Sequence, residues 1–138
     1  MAGRLSVAMI VRDAAGHLGE CLAGIGGWAE EVCVVDTGSA DGTLDVAREA
    51  GCVVGEFAWR DDFAAARNAS LELCSGDWIF VLDADERLAP GDLAGIRGLM
   101  AGGPGYCYRF TTRNYTDETQ VSDFVACLPG SRSGCCRK

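Results

Sequence analysis

The chain has 138 residues, of which 49% are hydrophobic, and a formal net charge of −8. That length and apolar content fit one domain with a real core and exclude a disordered chain. Twenty acids against twelve bases exclude the basic footprint of a nucleic-acid binder and simple electrostatic adhesion to anionic lipid.

The elements follow in order. Leu5–Val11 (LSVAMIV) is a short apolar run and predicts a buried strand. Leu18, Cys21, Leu22, Ile25 and Trp28 recur at helical spacing. Glu31–Asp36 predicts a second strand, continuously apolar in its middle, as in a parallel sheet covered on both faces. Ser39 then offers a helix N-cap ahead of Leu44, Val46, Ala47 and Ala50, and Gly51 a stop. Cys52–Phe57 predicts a strand and Phe63–Cys74 a helix. WIFVLDADE predicts a fourth strand that ends in acid, Pro90 opens a helix to about Met100, and Tyr106–Thr112 predicts a fifth strand. Alternation of this kind predicts an α/β domain with a mainly parallel central sheet flanked by helices. The stretch from about 119 to 138 has no clear periodicity and is expected to fray.

Of the eight cysteines, Cys21, Cys33, Cys52 and Cys74 fall inside predicted elements, and no C-x-x-C pair occurs. Reduced, structural thiols are expected rather than zinc or a disulfide framework, with Cys135 and Cys136 as exposed thiols. No secretory leader and no membrane-length apolar run is read, so a cytoplasmic protein is expected, with peripheral contact at the inner membrane face left open. His17, the single histidine, is expected on an exposed helical turn without a catalytic role.

In an open parallel sheet, ligands bind beyond the carboxyl ends of the strands. Three of those ends are acidic: Arg12-Asp13, Asp36, and Asp83-Ala84-Asp85-Glu86. Clustered like charges repel, and a divalent cation among them would explain the cluster. Asp83 and Asp85, two apart on an extended chain, would point to one site, and carboxylates suit Mg2+ or Mn2+ completed by water and substrate phosphates. A turn after a strand accounts for Asp equally well when the motif is taken alone. Asp36 suits a nucleobase N–H or ribose hydroxyl, or else serves its own loop; Asp41 and Gly42 suit turn chemistry. Arg67 can clamp a phosphate or stack on a base, or pair with Asp61 or Asp62 on the surface. Trp59 and Phe63 are expected in the core or a pocket wall. Neither a phosphate-binding G-x-x-x-x-G-K-[ST] loop nor G-x-G-x-x-G occurs.

Taken together, AMIVRD, Cys21-Leu22, VVDTGSADGT, FAWRDDFAAARN and GDWIFVLDADE resemble family 2 glycosyltransferases. The similarity is greatest to the bacterial subgroup that includes lipopolysaccharide-core β-glucosyltransferases, and it covers roughly residues 5 to 115. The resemblance implies a GT-A fold, a nucleotide-activated sugar donor, often a UDP-sugar, and a glycan or lipid-linked acceptor glycosylated with inversion. By position it implies that Val11 and Arg12 line the nucleoside. Asp36 contacts the base, and Arg67 lies near base or diphosphate. Asp83, Ala84 and Asp85 form the D-x-D, with Asp83 near ribose and metal and Asp85 holding Mn2+ or Mg2+. The family's general base lies in a later acidic segment that this chain does not display, so no catalytic base is assigned. A single domain over residues 1 to 138, truncated on the acceptor side, is therefore expected, and a non-catalytic nucleotide-sugar-binding fragment is the alternative. A truncated sheet leaves an edge, which predicts a homodimer.

Overall fold

In the computed structural model, residues 3–102, 107–113 and 121–126 are described. The elements run β1 (Leu5–Val11), α1 (Ala15–Gly24), β2 (Glu31–Asp36), α2 (Thr43–Glu49), β3 (Val53–Glu56), α3 (Phe63–Leu73), β4 (Trp78–Val81), α4 (Pro90–Leu99), a 3-10 turn Met100–Gly102, β5 (Tyr108–Arg113) and β6 (Val121–Ala126). The first four strands form one parallel sheet in the order β3-β2-β1-β4. The chain moves outward from β1 to β3, then returns through α3 to the other side of β1. The order reverses between β1 and β4, which is where an open α/β sheet places a ligand crevice.

Alternation along the strands explains the two layers of helix. Leu5, Val7, Met9 and Val11 join Val34, Trp78 and Phe80 on one face, under Leu18, Cys21 and Leu22 of α1, Ala47 of α2 and Ile96 of α4. Ala8, Cys33 and Ile79 face the other way, against Leu71, Leu73 and Cys74 at the end of α3. The described free cysteines Cys21, Cys33 and Cys74 are buried, in keeping with thiols that act as small hydrophobes. Burial pushes the Cys21 thiol up to about 11, against the pull of Arg87. Cys107 is exposed, and Cys135 and Cys136 lie outside the described residues.

Three expectations about local structure change. Helix α1 stops at Gly24, although Ile25 and Trp28 are still buried. The G-I-G-G run, with Gly27 at φ 74, turns the chain, so the apolar spacing there records burial rather than helix. Helix α2 starts at Thr43 behind Gly42, because Ser39 is drawn to the Asp36 carboxylate instead of capping. Within the stretch expected to fray, Val121–Ala126 pairs antiparallel with β5; the rest of that stretch lies outside the described residues, as does Tyr106.

The β5–β6 hairpin and α4 close the side of the sheet beyond β4. Trp78 stacks on Tyr108 with ring centres 6.0 Å apart, and Phe80 meets Phe110 at 5.7 Å and Trp28 edge-on at 5.4 Å. Gly76, before β4, is required by close approach: a Cβ there would lie 2.9 Å from the Arg4 carbonyl oxygen. Among the described residues no helix is long and apolar enough to cross a membrane.

Candidate functional site

The carboxyl ends of β1 and β2 are latched to each other. The Val11 carbonyl accepts from both Thr37 N (3.0 Å) and Thr37 Oγ1 (3.1 Å). Asp13, in the left-handed region at φ 47, donates its N–H to Ser39 Oγ (2.8 Å) and accepts Ala40 N on Oδ1 (2.7 Å). Ala14 N reaches Thr43 Oγ1 at 2.9 Å, and Ala15 N reaches Asp41 Oδ2 at 3.2 Å. The Asp41 carboxyl lies below its ordinary range, chiefly through the Thr43 hydroxyl that donates to it.

Asp36 is the hub of this latch. It is only 3% exposed, and its Oδ2 accepts Gly38 N (3.0 Å) and Ser39 N (2.9 Å) while Oδ1 accepts the Ser39 hydroxyl. Three of about four lone-pair sites are thus committed to its own loop, leaving one on Oδ1. Gly38, at φ 110, makes the turn that brings those N–H groups round. Arg12 is exposed beside this latch.

The end of β4 is built differently. The strand stops at Val81, and residues 83–86 form a turn in which Glu86 N donates to the Asp83 carbonyl (3.0 Å) and Asp83 N to Glu86 Oε2 (2.9 Å). Asp83 and Asp85 are therefore presented by a turn and not by the pleat of an extended strand, because the apolar run continues past the last ladder position. Ala84, between them, is buried. Arg67, from α3, brings Nη2 to 3.4 Å from Asp83 Oδ1, across sixteen residues of sequence. The alternative surface partners are engaged elsewhere: Asp61 accepts Trp59 Nε1 (3.0 Å), and Asp62 caps α3 by accepting Ala65 N (2.9 Å). Arg67 Nη1 is buried without a hydrogen-bond partner among the described residues. Arg67 thus keeps donor capacity beside the acidic turn that the described residues do not use.

Asp85 is exposed, and its carboxylate takes no hydrogen bond from a described residue. Burial, with the Asp83 and Asp85 charges, pushes the Glu86 carboxyl up to about 7, against the opposing pull of the Asp83 N–H and of Arg67. Three carboxyls, of Asp83, Asp85 and Glu86, thus share a turn with Arg67 and Arg87. Hard carboxylate oxygens suit Mg2+ or Mn2+. Among the described residues no three His, Cys, Asp or Glu side chains gather as a cage. Such ions seldom need one, taking one or two carboxylates with water and phosphate oxygens.

Two residues at this turn were not singled out by sequence: Glu86, named only as part of the acidic strand end, and Arg87. Arg87 Nη1 donates to the carbonyls of Ala84 (2.9 Å) and Glu86 (2.8 Å), and Nη2 to His17 O and Glu20 Oε2, both at 3.2 Å. The only hint in the sequence was the base that follows the acids in D-A-D-E-R. His17 is exposed and lends the site only its backbone carbonyl. Phe63 is 74% exposed and meets Trp59 edge-on at 4.7 Å, so it is not a core residue. It begins α3, and among the described residues its ring contact is with Trp59.

The family model of glycosyl transferase family 2 matches residues 6–123. The lipopolysaccharide core biosynthesis glycosyltransferase LpsC of Rhizobium meliloti is 36% identical over 89 residues, which are 61% of this chain and 32% of that protein. A TPR repeat-containing protein of Synechococcus elongatus is 49% identical over 85 residues, 62% of this chain and 21% of that one. The chain therefore spans about a fifth to a third of the length of these relatives. Among solved structures, the Pyrobaculum calidifontis mannosyltransferase in complex with GDP-Man and Mn2+ aligns with TM-score 0.61 and 24% identity, over 72% of this chain and 33% of that one. The Mycobacterium tuberculosis glucosyl-3-phosphoglycerate synthase in complex with Mn2+ and UDP aligns with TM-score 0.53 and 21% identity, over 62% of this chain and 36% of that one. These likenesses establish the GT-A fold that the sequence motifs imply.

Proposed function

The chain belongs to glycosyl transferase family 2, and we propose that it binds a nucleoside diphosphate sugar, a UDP-sugar, in the crevice between the carboxyl ends of β1 and β4. The sugar then passes, with inversion, to a glycan or lipid-linked acceptor. The observation that carries this is Arg67: one nitrogen on Asp83, the other buried and unbonded at the point where the strand order reverses. A diphosphate oxygen or a base carbonyl would complete it.

In this proposal Val11 and Arg12 line the nucleoside, and Asp36 offers its one uncommitted lone pair to a base N–H. Asp83 and Ala84 border ribose and diphosphate. Asp83 and Asp85 would hold Mn2+ or Mg2+, which would offset the charge growing on the leaving diphosphate. The relatives' names and the ligands of their complexes support the choice of a sugar nucleotide and a divalent cation. The exposed edge strand β3, with Val53 42% exposed, supports a proposal of self-association; a sedimentation measurement that finds monomer alone would remove it.

The test is calorimetric titration of UDP with and without Mn2+, using GDP and ADP as controls, in the chain and in Asp85→Ala. Mn2+-dependent UDP binding that Asp85→Ala abolishes is the expected result. Absence of binding by all three nucleotides would overturn the proposal. UDP binding without sugar transfer would leave this chain as a donor-binding fragment.

A further inference from the structure

Two arginines flank the turn after β4, and their hydrogen-bond inventories differ. A guanidinium has five N–H donors in a rigid fork and no acceptor. Arg67 spends one on Asp83 and leaves Nη1 unbonded. Arg87 spends four: two from Nη1 to the carbonyls of Ala84 and Glu86, and two from Nη2 to the His17 carbonyl and the Glu20 carboxylate. With only Nε–H left, Arg87 has little capacity for a diphosphate. Its bonds have a common geometry instead. The two turn carbonyls belong to the residues on either side of Asp85, and the other two acceptors lie on successive turns of α1.

Apart from Arg87, the turn is tied to the fold by the longer Arg67–Asp83 pair at 3.4 Å. The reciprocal bonds of Asp83 and Glu86 are internal to it. Cys21 Sγ, also on α1, lies 3.8 Å from the Asp83 carbonyl, a weak thiol contact. Among the described residues Asp85 has no bond of its own, so its position depends on the backbone on each side.

We propose that Arg87 is a positioning residue for the donor site. It clamps the backbone around Asp85 to α1, and so fixes where the Asp85 carboxylate stands before a ligand arrives. This rests on the donor site proposed above. A turn that is loosely held reaches the competent arrangement only part of the time, and apparent affinity falls by that fraction.

The test joins amide exchange to calorimetry in Arg87→Ala. Exchange at the Asp83 and Glu86 amides should rise roughly tenfold or more, with β1 amides unchanged. Mn2+-dependent UDP affinity should fall roughly tenfold, for a competent fraction of about one tenth, while UDP affinity without metal holds. Unchanged exchange at Asp83 and Glu86, or an equal tenfold loss of UDP affinity in the absence of metal, would overturn the clamp. Absence of UDP binding by the unaltered chain would instead overturn the donor site, while amide exchange would still decide whether Arg87 holds the turn. If Arg87→Ala does not fold, Arg87→Lys, which keeps the charge and loses the fork, supports the same comparison.

Discussion

At the amino ends of its strands the sheet satisfies its carboxylates; at the carboxyl end of β4 it leaves them short. Glu31 accepts from the Ser6 hydroxyl, from Ser75 N and from Ser75 Oγ (2.9 Å), and Glu30 accepts Leu5 N (2.6 Å) and Arg97 Nη2 (2.9 Å). Desolvation raises both carboxyls, but these hydrogen bonds outweigh it, so both lie below their ordinary range. At the β4 end Asp85 has no described partner, and Glu86 is pushed up to about 7. The same kind of residue is thus a staple at one end and an uncompensated charge at the other. The unsatisfied end stands at the switch of strand order, where a ligand would supply what is missing.

The largest effect should come from Asp85→Ala. If the turn is completed by a divalent cation and a diphosphate, transfer or donor hydrolysis should fall about a thousandfold, since a cation there contributes several kcal/mol to the barrier. Stability should stay within about 0.5 kcal/mol, because the side chain is exposed and makes no bond to a described residue. Turnover equal to that of the unaltered chain would show that the unsatisfied end is not the reactive one.

Asp36→Ala should invert that pattern. The carboxylate is buried and holds three donors, so its loss strands two N–H groups and the Ser39 hydroxyl. A cost of about 3 kcal/mol in denaturant unfolding is expected. A change under about 1 kcal/mol would mean the latch between the β1 and β2 ends is not structural.

What sequence showed of this contrast was uneven. Continuous apolar runs bounded by turns located β1, β2 and β4, and the helical spacing of α3 was equally plain, because local pattern alone decides those elements. The acids at the strand ends were visible as well. Their satisfaction was not, since it depends on partners far along the chain: Asp83 on Arg67, Glu31 on Ser75, and Arg87 on His17 and Glu20. Ser39 shows a second, local limit. Locally it is a good N-cap, but the Asp36 carboxylate, brought near by the turn, takes it first. Ile25 and Trp28 carried helical spacing without a helix, because burial and helix are separate facts that periodicity merges.

Glu31→Gln tests the satisfied end by pH. Its folded pKa lies below the ordinary 4.5. A depressed carboxyl contributes stability that is present above the unfolded value and is lost as pH falls through the folded one. At pH 7 the variant should be less stable by about 1 kcal/mol, a figure reduced for solvent screening of a half-buried group. That gap should hold down to about pH 4.5 and close below it. A gap that persists unchanged well below that pH would mean the hydrogen bonds do not depend on the charge.

The smallest effect should come from Phe63→Ser, and it sharpens the comparison by separating apolar surface from apolar core. Phe63 opens α3 on the same side of the fold as the β4 turn, one helical turn before Arg67, yet it is 74% exposed and touches chiefly the edge of Trp59. Removing the ring forfeits an edge-to-face pair, about 0.5 kcal/mol at an exposed site, and leaves no cavity because nothing encloses it. Phe80, by contrast, is buried between Trp28 and Phe110, where truncation to Ala would cost about 3 to 5 kcal/mol. If Phe63→Ser unfolded at clearly lower denaturant than expected, the ring would be covered in solution, and α3 would have a partner surface that the described residues do not supply.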